Sequence, residues 1–438
     1  MFPFPLRRLA CNGASVAFNA LHHPFFPYCS AISPRRQPST RGLYTKAAAV
    51  KRYMKITLNT EHCVQGIQKA NNITPSKSGT SYLRTMWLKA SKANGTIAFM
   101  TTDGSTEYIG TYPAEVVEEG LVGVQSRSIS ELIRSLPAGL IHIETDDKNG
   151  TVVITQGRRT YKLPASSSTW FQEFSRYPEG ESLVWNGESF GDIIEKIFFC
   201  ISDDEDSSFG CLCIKPNGSG GIDFCGLDGN KFAITMLKND ELLAKLPEEG
   251  IKIQKKYIAD IKKLLSTDEI EIMIGEKRFY IRDKNDRDMF SVPLTQLKFI
   301  DYSIFISKAN QADASVIRAK KADLVNALSR NMIFNTKEQI CVYLTIAADS
   351  ITLNSSDKTT GSATETIPAQ CDTGVPEVAF VTRTLIDMLS HLPGDDIVVK
   401  LSSQEGPCCF AAADDRDYYI IAMPMQVVSK TYYQEEDA

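Results

Sequence analysis

The chain has 438 residues, 43% of them hydrophobic and 23% charged, an ordinary globular composition with length for about three domains. Its longest apolar runs are strand-sized, short of the roughly 20 residues a membrane-spanning helix needs. Its eleven cysteines form no Cys-x-x-Cys pair and no compact secreted framework, which points to reduced thiols in a reducing compartment.

Residues 1–53 stand apart. They hold eight of the 48 basic residues and none of the 53 acidic ones, so the remainder carries 40 basic against 53 acidic residues. Clusters such as Phe2-Pro3-Phe4-Pro5 and Ser33-Pro34-Arg35-Arg36 lie here. An acid-free, Arg- and Ser-containing leader has the composition of an organellar transit peptide. Translation from a start codon upstream of the real one gives the same pattern, and the clean beginning at Met54-Lys55-Ile56-Thr57 favours it.

From Met54 the spacing predicts a helix capped at Thr60 (Glu61 to Asn71, with Val64 and Ile67 apolar), then strands around Trp87 and Ile97 to Met100. A turn at Asp103-Gly104 follows, then a second helix through Leu132 to Leu136 that stops at Pro137-Ala138-Gly139. The same grammar returns with Phe190, Ile193, Ile194 and Ile197 on one helical face, a turn at Asp228-Gly229, and a helix from Ile258 to Leu265. It returns once more with Leu324, Val325, Leu328 and Met332, then Leu385, Leu389 and Leu392 before Pro393-Gly394.

The intervals are nearly constant. Leu136 to Leu265 is 129 residues and Leu265 to Leu392 is 127; Pro164, Pro293 and Pro424 lie 129 and 131 apart. The Asp-Gly turns are 125 apart, and Asp357 follows Asp228 by 129. A period near 128 is domain-sized, far longer than a solenoid repeat. The expected organisation is 1–53 outside the fold, three copies at 54–178, 179–306 and 307–425, and an acidic tail at 426–438. Each copy reads as helix, strands, helix, strands. That pattern implies an α+β fold in which an antiparallel sheet carries two helices on one face, six helices in all.

The helices' polar faces are basic in every copy: Lys69, Arg127 and Arg134; Lys196, Lys255, Lys256, Lys262 and Lys263; Lys320, Lys321, Arg330 and Arg383. Recurrence within a net acidic body points to a shared basic surface. His62, His142 and His391 belong to different landmarks and read as structural. The acidic run Asp203, Asp204, Glu205 and Asp206 offers ligands for a carboxylate-site enzyme, but it lacks calcium-loop spacing, and no G-x-S-x-G, H-E-x-x-H or phosphate-loop signature accompanies it. A third reading is a repeat-built protein-interaction scaffold that does not encircle DNA.

Several features resemble the β sliding clamp family of bacterial DNA polymerase III. They are the Met54-Lys55-Ile56 start, three repeats of this length, Arg127 opening a second helix, Thr102-Asp103-Gly104, Leu227-Asp228-Gly229-Asn230-Lys231-Phe232-Ala233, Phe299-Ile300-Asp301-Tyr302, and the closing Met423-Pro424-Met425. The resemblance covers about residues 54–425. It implies a non-catalytic processivity factor without cofactor or metal, a head-to-tail homodimer closing into a ring around double-stranded DNA, and a bacterial, nucleoid-associated cytoplasmic location. An organellar one follows only if the leader is a genuine transit peptide. It implies that Lys69, Arg127, Arg134, Lys196, Lys255, Lys256, Lys262, Lys263, Lys320 and Lys321 face the hole. Leu227, Phe232, Ile300, Ile421, Met423, Pro424 and Met425 would line a groove for a peptide carried by the polymerase catalytic subunit, the clamp loader and other partners, with Asp301 and Tyr302 holding the link. Ring closure would use Arg158, Arg159, Tyr161 and Leu163 against Ile333 and Phe334. Two departures stand out: the family's basic copy-two loop is here Asp203–Asp206, and its early copy-one cation is matched only loosely by Lys77 or Arg84. The tail, with Tyr432 and Tyr433, is expected to fold back over the groove.

Overall fold

The computed structural model describes residues 53–75, 81–285, 287–309, 314–372 and 374–426. The leader up to residue 52, Lys77, and the tail beyond Gln426 with Tyr432 and Tyr433 lie outside the described residues. No helix among those described is long and apolar enough to cross a membrane.

Eight helices occur among the described residues: α1 (Thr60–Ile73), α2 (Ser126–Ser135), α3 (Gly187–Phe198), α4 (Asp240–Lys245), α5 (Lys255–Leu264), α6 (Ser303–Ala309), α7 (Lys321–Asn331) and α8 (Thr382–Ser390). Six match the predicted amphipathic helices, and the short α4 and α6 are additions. Asn239 caps α4 by accepting from the Leu242 amide, and before α6 Asp301 accepts from the Ser303 amide at 3.0 Å, closing a turn into the helix.

Three local expectations are corrected. The cap of α1 is Asn59, whose side chain accepts from the Glu61 amide; the Thr60 hydroxyl bonds instead to the carbonyls of Pro137 and Gly139, tying the helix start to the loop after α2. Each copy opens with a strand rather than a helix (Lys55–Asn59, Leu183–Asn186, Ser315–Lys320), because alternating residues such as Ile56 and Leu58 already bury one face before the helix begins. Met332 is exposed, since α7 ends at Asn331 and the chain tightens into a 3-10 turn.

All named strands pair antiparallel and join into two continuous sheets of 13 and 12 strands. Continuity comes from two cross-copy seams. The last strand of the second copy, Asp288–Pro293, pairs with Glu107–Pro113 of the first, in the register Ser291 opposite Glu107 and Asp288 opposite Gly110. The last strand of the third, Tyr418–Ala422, pairs with Lys231–Leu237 of the second, Ile421 opposite Phe232. The strands that feed these seams begin at matching turns: Asp103, Asp228 and Asp357 each accept from amides two and three residues on. Gly104 and Gly229 sit at φ 98° and 97°, a conformation that favours glycine.

The helices touch in an unbroken series. α1 packs on α2, α3 on α5 and α7 on α8, while α1 also meets α5. Phe199 at the end of α3 stacks on His391 at the end of α8, ring centroids 3.8 Å apart. The order is therefore α2, α1, α5, α3, α8, α7, with the first helix of one copy beside the second helix of the next.

Candidate nucleic-acid and partner interfaces

The basic residues expected on this helical series do not form one class. Lys69 on α1 binds Asp288 at 2.7 Å with its side chain only 26% exposed, and Lys196 on α3 binds Asp415 at 3.2 Å while lying over the Tyr418 ring. Each reaches across a seam to the neighbouring copy. Asp288 also accepts from the hydroxyls of Tyr108 and Tyr112, and the Tyr418 hydroxyl donates to the Lys196 carbonyl. Lys69 and Lys196 are joint residues, each holding a carboxylate of the neighbouring copy. Lys321 likewise caps the Leu392 carbonyl at 2.8 Å, just past the end of α8.

The others are nearer solvent. Arg134 is exposed, Arg127 pairs along its own helix with Glu131 at 2.7 Å, Lys263 leans toward Asp260 at 3.6 Å, and Lys320 meets Asp396 at 2.9 Å. Hydrogen bonds from Arg127 to Glu131 and from Lys320 to Asp396 raise both cations above their ordinary pKa. Lys262 pairs with Glu195 at 2.6 Å above the Phe198 ring. Lys255 and Lys256, at the start of α5, are held by Asp203 (2.7 Å) and Glu205. Two of the four consecutive acids thus have lysine partners.

The expected groove residues separate by depth. Leu227, Phe232 and Ile421 are buried, because α6 and the link before it cover them: Tyr302 stacks on Phe232 with centroids 5.4 Å apart, and Phe305 packs beside it. The Tyr302 hydroxyl donates to buried Asp223 at 2.8 Å, so Tyr302 does hold the link. Leu227, Phe232 and Ile421 form a floor under Tyr302 and Phe305. Ile300, Met423 and Met425 are exposed, Met423 by 52%, and Pro424 is half-buried. The Met423 amide bonds to the Asn230 carbonyl at the second turn, which brings the residues just after the last strand to the copy-two surface. Sequence reading missed exposed Ile304 on α6. Its signal was present in the apolar run Ile304-Phe305-Ile306, too rich for a simple linker.

The expected closure residues lie on or beside two incompletely paired strand edges: Arg159, Tyr161 and Leu163 on one strand with Arg158 in the turn before it, and Ile333 and Phe334 in the 3-10 turn next to the other. Of the strand Arg159–Ser166, only Ala165 and Ser166 pair on the second side. Of Gly361–Cys371, only Ala369 to Cys371 do so. Arg158 and Arg159 are exposed, while Tyr161 and Leu163 pack toward the core. Ile333 is 72% exposed beside the second edge, and Phe334 accepts from the Thr360 hydroxyl there at 2.8 Å. Arg330 on α7 pairs with Glu365 of the same edge.

Comparison with known proteins places these surfaces in context. Residues 54–174 match the family model described as the DNA polymerase III beta subunit, N-terminal domain, and 310–426 match the C-terminal domain of the same subunit. Proteins named beta sliding clamp from Caulobacter vibrioides and Bacillus subtilis are each 19% identical, over 381 and 389 residues; each alignment covers 85% of this chain and 100% of the relative. The crystal structure of the DNA polymerase III subunit beta from Pseudomonas aeruginosa superposes with TM-score 0.77 at 19% identity, over 85% of this chain and 100% of that one. The Thermotoga maritima subunit gives 0.74 at 18% identity, over 86% and 100%.

Proposed function

Because this chain belongs to the DNA polymerase III β-subunit family, we propose that two copies join head to tail into a ring of six domains around duplex DNA. The chain is a sliding clamp, a non-catalytic processivity factor that tethers a replicative polymerase. The observation that carries the ring is the repeated seam. Strand 288–293 seats on 107–113 and strand 418–422 on 231–237, each beside a contact between the first helix of one copy and the second helix of the next. The same operation applied once more puts strand 159–166 of one subunit on strand 361–371 of the other, and α2 beside α7. Both edges are open for it. The helices then line the hole, carrying Arg127, Arg134, Lys255, Lys256, Lys262, Lys263 and Lys320 toward phosphate oxygens without base readout.

Carrying the internal registers over to the third seam brings an arginine of one subunit to Glu365 of the other. Ser291 lies opposite Glu107, which faces Thr102 across its hairpin; the equivalent residue facing Ser356 is Ser362. With Lys162 two residues before Pro164 as Ser291 is before Pro293, the first seam's register sets Arg159 of one subunit opposite Glu365 of the other; the second seam, where Ile421 opposite Phe232 stands three residues before Pro424, sets Arg158 there instead. Glu365 then bridges Arg330 and an arginine of the partner subunit, the place of the incoming carboxylate Asp288 being taken by Arg159 and its charge role by Glu365.

We assign the three domains to 54–178, 179–306 and 307–425. Peptides of the polymerase and clamp loader dock on Ile300, Ile304, Met423, Pro424 and Met425, above the Leu227, Phe232 and Ile421 floor; exposed Met adapts to varied side chains. The working location is the cytoplasm, on the nucleoid. Loading on circular DNA tests the reading: the ring stays on a closed circle and is lost after linearisation. Equal loss from both forms would overturn encirclement.

A further inference from the structure

The loop from Ser202 to Gly210, between α3 and the strand Cys211–Pro216, is folded onto the start of α5. The Lys255 amide donates to the Gly210 carbonyl (2.9 Å) and the Gln254 side chain to the Glu205 carbonyl (3.1 Å). The loop closes on itself through Ser207 to Asp204 (3.2 Å) and Gly210 to Ser207 (3.0 Å). A Cβ on Gly210 would fall 2.2 Å from the Asp204 carbonyl oxygen, so the loop packs too tightly there for any side chain. The backbone thus delivers two carboxylates to two amino groups: Asp203 to Lys255 at 2.7 Å, and Glu205 to Lys256. Lys255 is further held by the Ile201 carbonyl at 2.6 Å and the Phe198 ring, and is 20% exposed, whereas Asp203 is 94% exposed. The acid is free to leave; the lysine stays.

We propose that Asp203 and Glu205 occupy the amino groups that DNA phosphates take, making this loop an internal competitor that weakens binding to any duplex the ring does not enclose. The inference rests on the proposed reading that α5 faces the duplex. An exposed ion pair is weak enough for a phosphate to displace. Enclosed DNA stays beside the loop at high effective concentration and exchanges repeatedly with the carboxylates, whereas DNA met in solution does not. The competitor therefore costs little on a threaded duplex and most for stray contacts, which the net acidic body already discourages.

The test is equilibrium binding of a short labelled linear duplex to the full chain across a salt series. Asp203→Asn/Glu205→Gln should tighten binding about two- to tenfold, since each pair has a solvent-exposed acid and is weak, and steepen the slope of log affinity against log salt by up to roughly 0.9 per released lysine. The charge-matched control Glu248→Gln/Glu249→Gln, on an exposed turn after α4, should leave both unchanged. The gain should vanish when Lys255→Gln/Lys256→Gln is added. Equal gains from loop variant and control would reduce the effect to net charge and overturn the competitor; so would a gain that survives loss of the lysines. If the lysine substitutions change neither affinity nor slope even with the loop neutralised, α5 does not meet DNA and the underlying reading fails. If they weaken binding but loop neutralisation does nothing, the competitor alone fails.

Discussion

Lys69 and Asp288 lie 219 positions apart in the chain and meet at 2.7 Å, and the separation is repeated by Lys196 and Asp415 at 3.2 Å. Each lysine is the tenth residue of the first helix in its copy. The pairs therefore lock successive copies at the same place. Lys69→Met keeps the stem and removes the charge from a carboxylate 15% exposed, an expected loss of about 1–3 kcal/mol. Thermal unfolding should register this as a drop of several degrees, and an unchanged midpoint would mean strand pairing alone holds the seam.

At the proposed subunit seam the tenth helical residue is Arg330, and its acid is on its own side, Glu365. Arg159→Glu should raise the dimer dissociation constant at least about tenfold through like charge, and Glu365→Arg in the same chain should restore part of it. Charged replacements of both Ile333 and Phe334 should yield monomers by light scattering. A dimer indifferent to all of these would place closure elsewhere.

Exposed methionines and buried aromatics predict opposite phenotypes around the partner surface. Met423→Ala/Met425→Ala should weaken a clamp-binding peptide by roughly tenfold while leaving mass and melting temperature unaltered. Phe232→Ala, beneath Tyr302, should instead cost about 3–5 kcal/mol of stability. Calorimetry with the peptide separates the two, and equal peptide loss without destabilisation from Phe232→Ala would return that residue to the surface.

Burial pushes the thiols of Cys63, Cys211 and Cys408 up to about 12 from an ordinary 9.0. A folded pKa above the unfolded one favours the protonated native state, so this stabilisation is complete below about pH 9 and is lost as pH rises toward 12. Denaturant midpoints should fall steadily across that window, and native alkylation of these three thiols at pH 8 should be slow until the chain is unfolded. Rapid native alkylation would contradict their burial.

The repeat, the six long helices and the strand grammar were legible in the sequence because they are set by period and by local propensity: Phe190, Ile194 and Ile197 bury one helical face whatever surrounds them. The Asp-Gly turns were legible for the same reason, since an Asp side chain closes its own turn. Which lysines are cations for a ligand was not. Lys69 and Lys263 look alike in a string of letters; one is bound by an aspartate from the next copy and the other stands more than half exposed. Nor could periodicity tell that α6 would roof Phe232, or that Asp203 and Glu205 would fold back onto Lys255 and Lys256, 52 and 51 positions on. The sequence by itself determined the units and their faces, because those depend on neighbours within a helical turn or a hairpin. Only the tertiary structure decided which charges are paired and which apolar groups are covered, because pairing and covering depend on groups that the chain brings together from scores to hundreds of residues away.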